Sequence, residues 1–194
     1  MELGHNLQDY GGADGIWGPA TERAYQGYLL TEQGGWPLDD ENALNVFYGK
    51  PNIDTQYAPR QTFIDDLPYP MFMTWGDRGQ ITRIQCHELV ADSLRSILED
   101  IASEFGPKTI KHHGLDQFGG VVSVRPKRGG SALSRHSWGI AIDLDPARNG
   151  LMTPTNQAYI PTRCPKVIDI FAKYGWISLG KRIGRDWMHF QATQ

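Results

Sequence analysis

Ser134-Arg135-His136-Ser137-Trp138-Gly139-Ile140-Ala141-Ile142-Asp143 is the stretch on which fold and chemistry both turn, and Asp186-Trp187-Met188-His189 answers it near the C-terminus. The alternation after Gly139 predicts a strand over residues 139–144. Side chains of a strand alternate faces, so Ile140, Ile142 and Leu144 go to the core, while Gly139, Ala141 and Asp143 share the other side. On that reading the two small residues clear a space above Asp143, and His136 folds back over it from a loop. In the second stretch a closing strand puts Trp187, His189 and Gln191 on one face and Met188 and Phe190 on the other, with Asp186 where the turn meets the strand.

Together the two segments supply two imidazoles and a carboxylate as metal ligands and leave Asp186 spare. Zinc held by His136, Asp143 and His189 keeps a fourth position for water, whose pKa falls from ~16 towards ~7. A nearby carboxylate outside the ligand set can take the proton and pass it to a leaving amine, the role expected of Asp186. Arg125 and Arg128, just upstream, are the available cations for an oxyanion or a substrate carboxylate. The bland alternative is a buried polar cluster beside the sheet.

Outward from these segments, the strongest periodicity is an apolar stripe of Ile81, Ile84, Val90, Leu94, Ile97, Leu98, Ile101 and Phe105, which predicts a core helix ended by Gly106-Pro107. Short strands are expected over residues 108–112 and 120–125, a helix near 165–174, and a closing hairpin of 176–179 with 187–191, turning through Gly180 and Gly184. A helix on a small, mainly antiparallel sheet is an α+β arrangement. Residues 34–70, rich in Gly, Pro, Asn and Asp, read as an irregular linker wrapping a catalytic domain over 71–194. Its aromatics Phe47, Tyr48, Tyr57, Phe63 and Tyr69 need cover, so it should pack against something.

The 194 residues are 40% hydrophobic and 21% charged, ordinary for a globular chain, and the net charge of −3 gives no basic footprint for nucleic acid. No apolar run is long enough to cross a bilayer, so neither nucleic acid nor membrane is an expected partner. The N-terminus lacks the charged and apolar regions of a signal peptide, which predicts synthesis in a cytoplasm. Cys86 and Cys164 are read as buried free thiols. His5, His112 and His113 are read as structural or surface residues. His87-Glu88-Leu89-Val90-Ala91 opens like a helical HExxH zinc motif, but Ala91 stands where the second imidazole is needed.

The residues that carry a family resemblance are Ser134, His136, Gly139, Ala141 and Asp143 as SxHxxGxAxD, followed by Asp186 and His189 as DxxH. This pattern resembles the zinc D,D-peptidases of the M15 family, which include D-alanyl-D-alanine carboxypeptidases and phage-type L-alanyl-D-glutamate endopeptidases. The likeness extends through residues 67–71, 86–88 and 119–130, covering roughly 48–191. It implies a Hedgehog/D,D-peptidase-like zinc fold, zinc on His136, Asp143 and His189, Asp186 as the base, and Arg125 as the substrate- or oxyanion-binding arginine. Ser134 would support the site through a hydrogen bond. Arg128, Ser134, Trp138 and Trp187 are the further substrate-binding candidates; packing is the plainer reading of the two indoles, a stacking wall the sharper one.

Residues 7–30 read as a short unit of their own. Leu7-Gln8 and the run Ala13-Asp14-Gly15-Ile16-Trp17-Gly18-Pro19-Ala20-Thr21-Glu22-Arg23-Ala24 resemble the second half of a peptidoglycan-binding module, with its DGIFGPxTxxA turn and helix. A partial peptidoglycan-binding-like segment is thus expected over 1–33. The combined expectation is a monomeric endolysin-type peptidase acting on peptidoglycan stem peptides, made in a host bacterial cytoplasm and released to the periplasm or wall. The preferred bond is L-alanyl-D-glutamate, with D-alanyl-D-alanine carboxypeptidase as the alternative. A non-catalytic wall-binding protein, and a zinc hydrolase of another amide, are the readings from outside that class.

Overall fold

A computed structural model describes residues 35–194; the expected peptidoglycan-binding-like unit lies outside the described residues. The described chain is α+β, built on three small sheets with helices packed around them.

The Gly- and Pro-rich stretch holds more order than its composition predicts. Helix α1 (Glu41–Tyr48) starts at Asp40, whose carboxylate accepts the Ala43 N–H at 2.9 Å, and buries Leu44, Phe47 and Tyr48. Strand β1 (Gln61–Asp65) follows. Trp36 donates its indole N–H to Tyr174 O at 3.0 Å, and the Tyr48 hydroxyl donates to Ala192 O at 2.9 Å, so this stretch is tied to the C-terminal part of the core.

Strands β2 (Met71–Met73), β3 (Gln80–Ile81) and β4 (Arg83–His87) come next. β4 pairs antiparallel with β1, Ile84 opposite Ile64. Here the apolar stripe begins differently from the expectation: Ile81 and Ile84 belong to strands, and in β4 Ile84 and Cys86 alternate inward with period two. Three- and four-residue spacings across a strand–helix junction mimic one long helix.

The helix itself, α2, spans Ala91–His113 and buries Leu94, Ile97, Leu98, Ile101 and Ile110. Gly106 breaks it with φ 67° and ψ 166°, yet the chain resumes helical form directly. Pro107 lacks the N–H that a first helical turn leaves unused, so Gly-Pro restarts the helix instead of ending it. Residues 108–112, expected as a strand, are therefore helical, and the true stop is Gly114 in the left-handed region, its N–H bonding Ile110 O and Lys111 O.

β5 (Gln117–Phe118) runs parallel to β2, which pairs antiparallel with β3 on its other side. Residues 120–125, also expected as a strand, belong to none. Their backbone is spent on the neighbouring segments: Gly120 O accepts Asp143 N–H at 3.1 Å, and Ser123 N–H donates to His136 O at 3.0 Å.

The third sheet is β6 (Ala141–Asp143), β8 (His189–Gln191) and β7 (Ile177–Ser178), antiparallel throughout, with β8 central. Short helices α3 (Pro146–Asn149) and α4 (Tyr159–Arg163) and the helix α5 (Lys166–Lys173) connect β6 to β7. β7 and β8 are joined by helix α6 (Leu179–Ile183), where a simple turn was expected, and Gly184 closes it with φ 74°. Beneath this sheet Phe171 stacks on Phe190, centroids 3.9 Å apart, and Trp176 packs edge-on against Phe171. Cys86 and Cys164 are buried free thiols.

Candidate metal centre and cleft

In the β6–β8 ladder Asp143 stands directly opposite His189. Such partners share a face at the shortest cross-strand distance. His189 Nδ1 lies 2.9 Å from Asp143 Oδ1, and His136 Nε2, arriving from a 3-10 turn at Arg135–Ser137, lies 3.3 Å from the same oxygen. One donor atom from each residue falls within 4.8 Å of the others, and all three residues are buried.

Each imidazole is oriented by its other nitrogen. His136 Nδ1 lies 2.8 Å from Val121 O, which can only accept, so that nitrogen carries the proton and Nε2 is left bare. His189 Nε2 lies 3.1 Å from Gln191 Oε1, and Gln191 Nε2 donates to Thr193 Oγ1 at 2.6 Å, so His189 donates at Nε2 and leaves Nδ1 bare. In the neutral tautomers two nitrogen lone pairs and a carboxylate oxygen thus converge with no hydrogen between them. A cation resolves that arrangement, and the 2.9 Å and 3.3 Å separations suit a tetrahedron with bonds of ~2.0–2.2 Å. Without one, burial pushes the Asp143 carboxyl up but His136 and His189 outweigh it and hold it well below the usual carboxylate range. His189 is raised by Asp143 against the effect of its own burial.

The supports of this centre differ in part from the strand reading. Gly139 is not in β6. Its φ is 74°, its carbonyl accepts His87 N–H at 2.9 Å, and a Cβ there would sit 2.7 Å from Gln61 Oε1 and 3.0 Å from His87 N. The residue is needed for a left-handed turn at a close backbone crossing, not to clear Asp143. The clearing glycine is Gly119, where a Cβ would meet Asp143 Cβ at 2.7 Å. Arg135, buried behind the turn, pairs with Asp39, and Ser137 Oγ accepts Arg125 N–H at 3.1 Å. The hydroxyl brace expected of Ser134 is thus made by Ser137; the Ser134 side chain makes no hydrogen bond among the described residues.

A cleft of about 490 Å3 opens over the three donors, and Arg125, Arg128, Ser134 and Asp186 line it. Asp186 is buried in its wall with φ 62°, and its Oδ1 has no hydrogen-bond partner among the described residues. Burial, above the opposing pull of His189, raises its pKa. Neither Arg125 nor Arg128 is paired with a carboxylate among the described residues, and Lys127 and Arg185 join them on the cleft wall.

Trp138 and Trp187 do not line the cleft. Trp138 is fully buried, and Trp187 packs on Gly180, where a Cβ would fall 2.3 Å from the indole. Trp187 and Met188 precede β8, so strand alternation does not reach them, and Met188 lies on the cleft wall. Residues that sequence reasoning missed there include Thr74, Trp75 and Asp39. His87 is buried at the head of β4's exit turn, 2.8 Å from Tyr48 O and accepting Leu89 N–H at Nδ1, so both nitrogens are engaged away from any metal. His113 Nδ1 lies 3.2 Å from the Tyr159 hydroxyl, and His112 packs edge-on against it.

Residues 128–192 match the family model described as D-alanyl-D-alanine carboxypeptidase, one of the M15 peptidases. The matched stretch contains His136, Asp143, Asp186 and His189, begins at Arg128 and leaves Arg125 just outside. The match covers about a third of the chain and supports a relationship to the M15 peptidases. No curated protein and no solved structure matches the chain.

Proposed function

We propose that this chain is a zinc-dependent peptidase of the Hedgehog/D,D-peptidase fold that cuts peptidoglycan stem peptides between L-alanine and D-glutamate. The observation that carries the reading is the convergence of two bare imidazole nitrogens, each fixed by its own outer hydrogen bond, on one Asp143 oxygen, beside a buried carboxylate with an unpartnered oxygen.

Zinc held by His136, Asp143 and His189 would supply Lewis-acid polarisation of the scissile carbonyl and a more acidic water. Asp186 removes the proton from the attacking water. Burial raises its affinity for that proton, which it then delivers to the departing amine. Arg125, with Arg128 three residues on, holds the carboxylates of the stem or the developing oxyanion through charge-assisted hydrogen bonds. Val121 and Gln191 keep the imidazoles in the tautomers that ligation requires.

An internal bond is favoured over a terminal one by the cations on the cleft wall. One guanidinium suffices for one terminal carboxylate, whereas Arg125, Lys127, Arg128 and Arg185 suit a stem that carries several. The N-terminal likeness to a wall-binding module supports the same view and an endolysin released from a host bacterial cytoplasm to the wall. A D-alanyl-D-alanine carboxypeptidase is the second reading, favoured by the description of the matching family. A wall-binding protein without activity is disfavoured by the presence of Asp186 together with the whole ligand set.

Zinc-loaded protein incubated with purified disaccharide muropeptides should release products that differ by the mass of a stem cut after L-alanine. Loss of a single D-alanine would assign the carboxypeptidase activity, and intact muropeptides with zinc bound would leave the wall-binding scaffold.

A further inference from the structure

Trp75 is an indole on the cleft wall, half exposed at 49%, that neither the metal centre nor the core uses. It sits in the loop between β2 and β3. That loop is tied down at both ends: Thr74 donates to Phe118 O from both N and Oγ1 at 3.1 Å, and Met73 N–H donates to Gly79 O at 3.0 Å. Within it Arg78 N–H donates to Trp75 O at 3.2 Å and Gly79 N–H to the Asp77 carboxylate at 3.0 Å. The six-membered ring lies against Gly120, where a Cβ would come within 3.3 Å of Cη2, and Phe118 packs behind at 6.1 Å between centroids.

A single exposed aromatic is ordinary, but one set on the wall of the cleft offers its open face to a partner. Phe63, exposed to 45%, has one, because the Arg83 guanidinium lies 4.0 Å from its ring centre. Trp75 has no such cover among the described residues. An ammonium group of a substrate is a poor candidate for its face, since Arg125, Lys127, Arg128 and Arg185 line the same cleft and repel it. Short methyl and carboxylate side chains offer little area to an indole. A pyranose ring offers a flat face of C–H groups with its hydroxyls at the rim, which is the neutral, broad surface that a fixed indole can stack on.

We infer that Trp75 is a saccharide-binding residue: it stacks on a sugar of the glycan strand while the attached stem reaches the metal centre. The inference rests on the peptidase reading for what is cleaved, but not for what is bound. A pre-positioned ring loses little entropy on binding, so its contribution should appear chiefly in KM.

The test compares wild type, Trp75→Ala and Trp75→Phe on two substrates, a disaccharide-bearing muropeptide and the same stem with an N-acetyl group in place of the sugars. Binding of the soluble disaccharide to zinc-loaded protein is followed in parallel by calorimetry. Trp75→Ala should lose on the order of tenfold in kcat/KM on the sugar-bearing substrate, mostly in KM, and stay within about twofold on the acetylated stem. Trp75→Phe should recover most of the loss. Equal losses on both substrates, or no loss on either, would overturn the assignment. If wild type cleaves neither substrate the peptidase reading fails by itself; disaccharide binding that Trp75→Ala abolishes then still supports the sugar site, and binding that is absent or unchanged rejects it.

Discussion

His189 and Gln191 lie two positions apart on one face of β8, and their side chains are joined by a 3.1 Å hydrogen bond from Nε2 to Oε1. That bond decides which imidazole nitrogen faces Asp143. Because the Gln191 amide is held in turn by Thr193, the orientation of a ligand is set by a buried chain reaching away from the cleft. Replacing Gln191 by Leu should therefore weaken zinc binding by about 10–100-fold while leaving the fold intact. Competition against a chelating dye measures this, with Gln191→Glu, which keeps the acceptor, as the variant expected to retain most affinity.

Asp186→Asn should separate binding from turnover. The residue sits at φ 62°, a conformation that Asn adopts readily, and the unpartnered carboxylate oxygen is a buried liability that an amide lessens. Zinc content by mass spectrometry and the melting temperature should match or exceed wild type. Hydrolysis of muropeptides should fall by about 10²–10⁴-fold. Full activity in this variant would remove Asp186 from the proton-transfer role.

The site was legible in the sequence where its geometry is local. Asp143 and His189 end up opposite each other because each lies on a short strand whose alternation can be read from its own residues. His136 is near Asp143 in sequence and needs only a turn to reach it. The places of Trp75 and Asp39 depend on how separate elements dock, and no spacing records that. Trp138 and Trp187 show the converse error: adjacency to a ligand in sequence says nothing about which way the indole points, and both point into the core.

The fold followed the same division. The stripe from Leu94 to Ile101 marked the main helix, and the closing strands were marked by their aliphatic and aromatic residues. Helix α1 was obscured by the prolines on either side, although Asp40 as a cap and the spacing of Leu44, Phe47 and Tyr48 were there to find it. Gly106-Pro107 reads equally as a stop or a start, because the pair both ends and begins helices.

Gly139→Ala tests the corrected role of that glycine. A methyl group would press on Gln61 Oε1 and on the His87 backbone while the residue remains left-handed. The expected loss of stability is about 1–3 kcal/mol, read from denaturant midpoints. Gly119→Ala should differ in kind, because its Cβ would displace Asp143 and so depress zinc affinity as well as stability.

His87 makes stability depend on pH. Burial, partly offset by the hydrogen bond to Tyr48 O, pushes its pKa down from 6.5 to about 4. Above 6.5 it is neutral in both folded and unfolded chains. Between 6.5 and 4 the unfolded chain binds a proton that the folded protein does not, so stability falls as pH falls, by on the order of 3 kcal/mol once pH is below 4. Denaturant titrations across this window should show the decline, and the His87 ring nitrogens followed by NMR should remain those of a neutral imidazole at pH 5.

The central claim is that His136, Asp143 and His189 form one zinc site. Calorimetric titration of chelator-treated protein with Zn2+ tests it most directly. Wild type should bind a single zinc per chain, and His136→Ala, Asp143→Ala and His189→Ala should each abolish that binding while His87→Asn leaves it in place. Absence of zinc binding in wild type, or binding that survives all three ligand substitutions, would contradict the account.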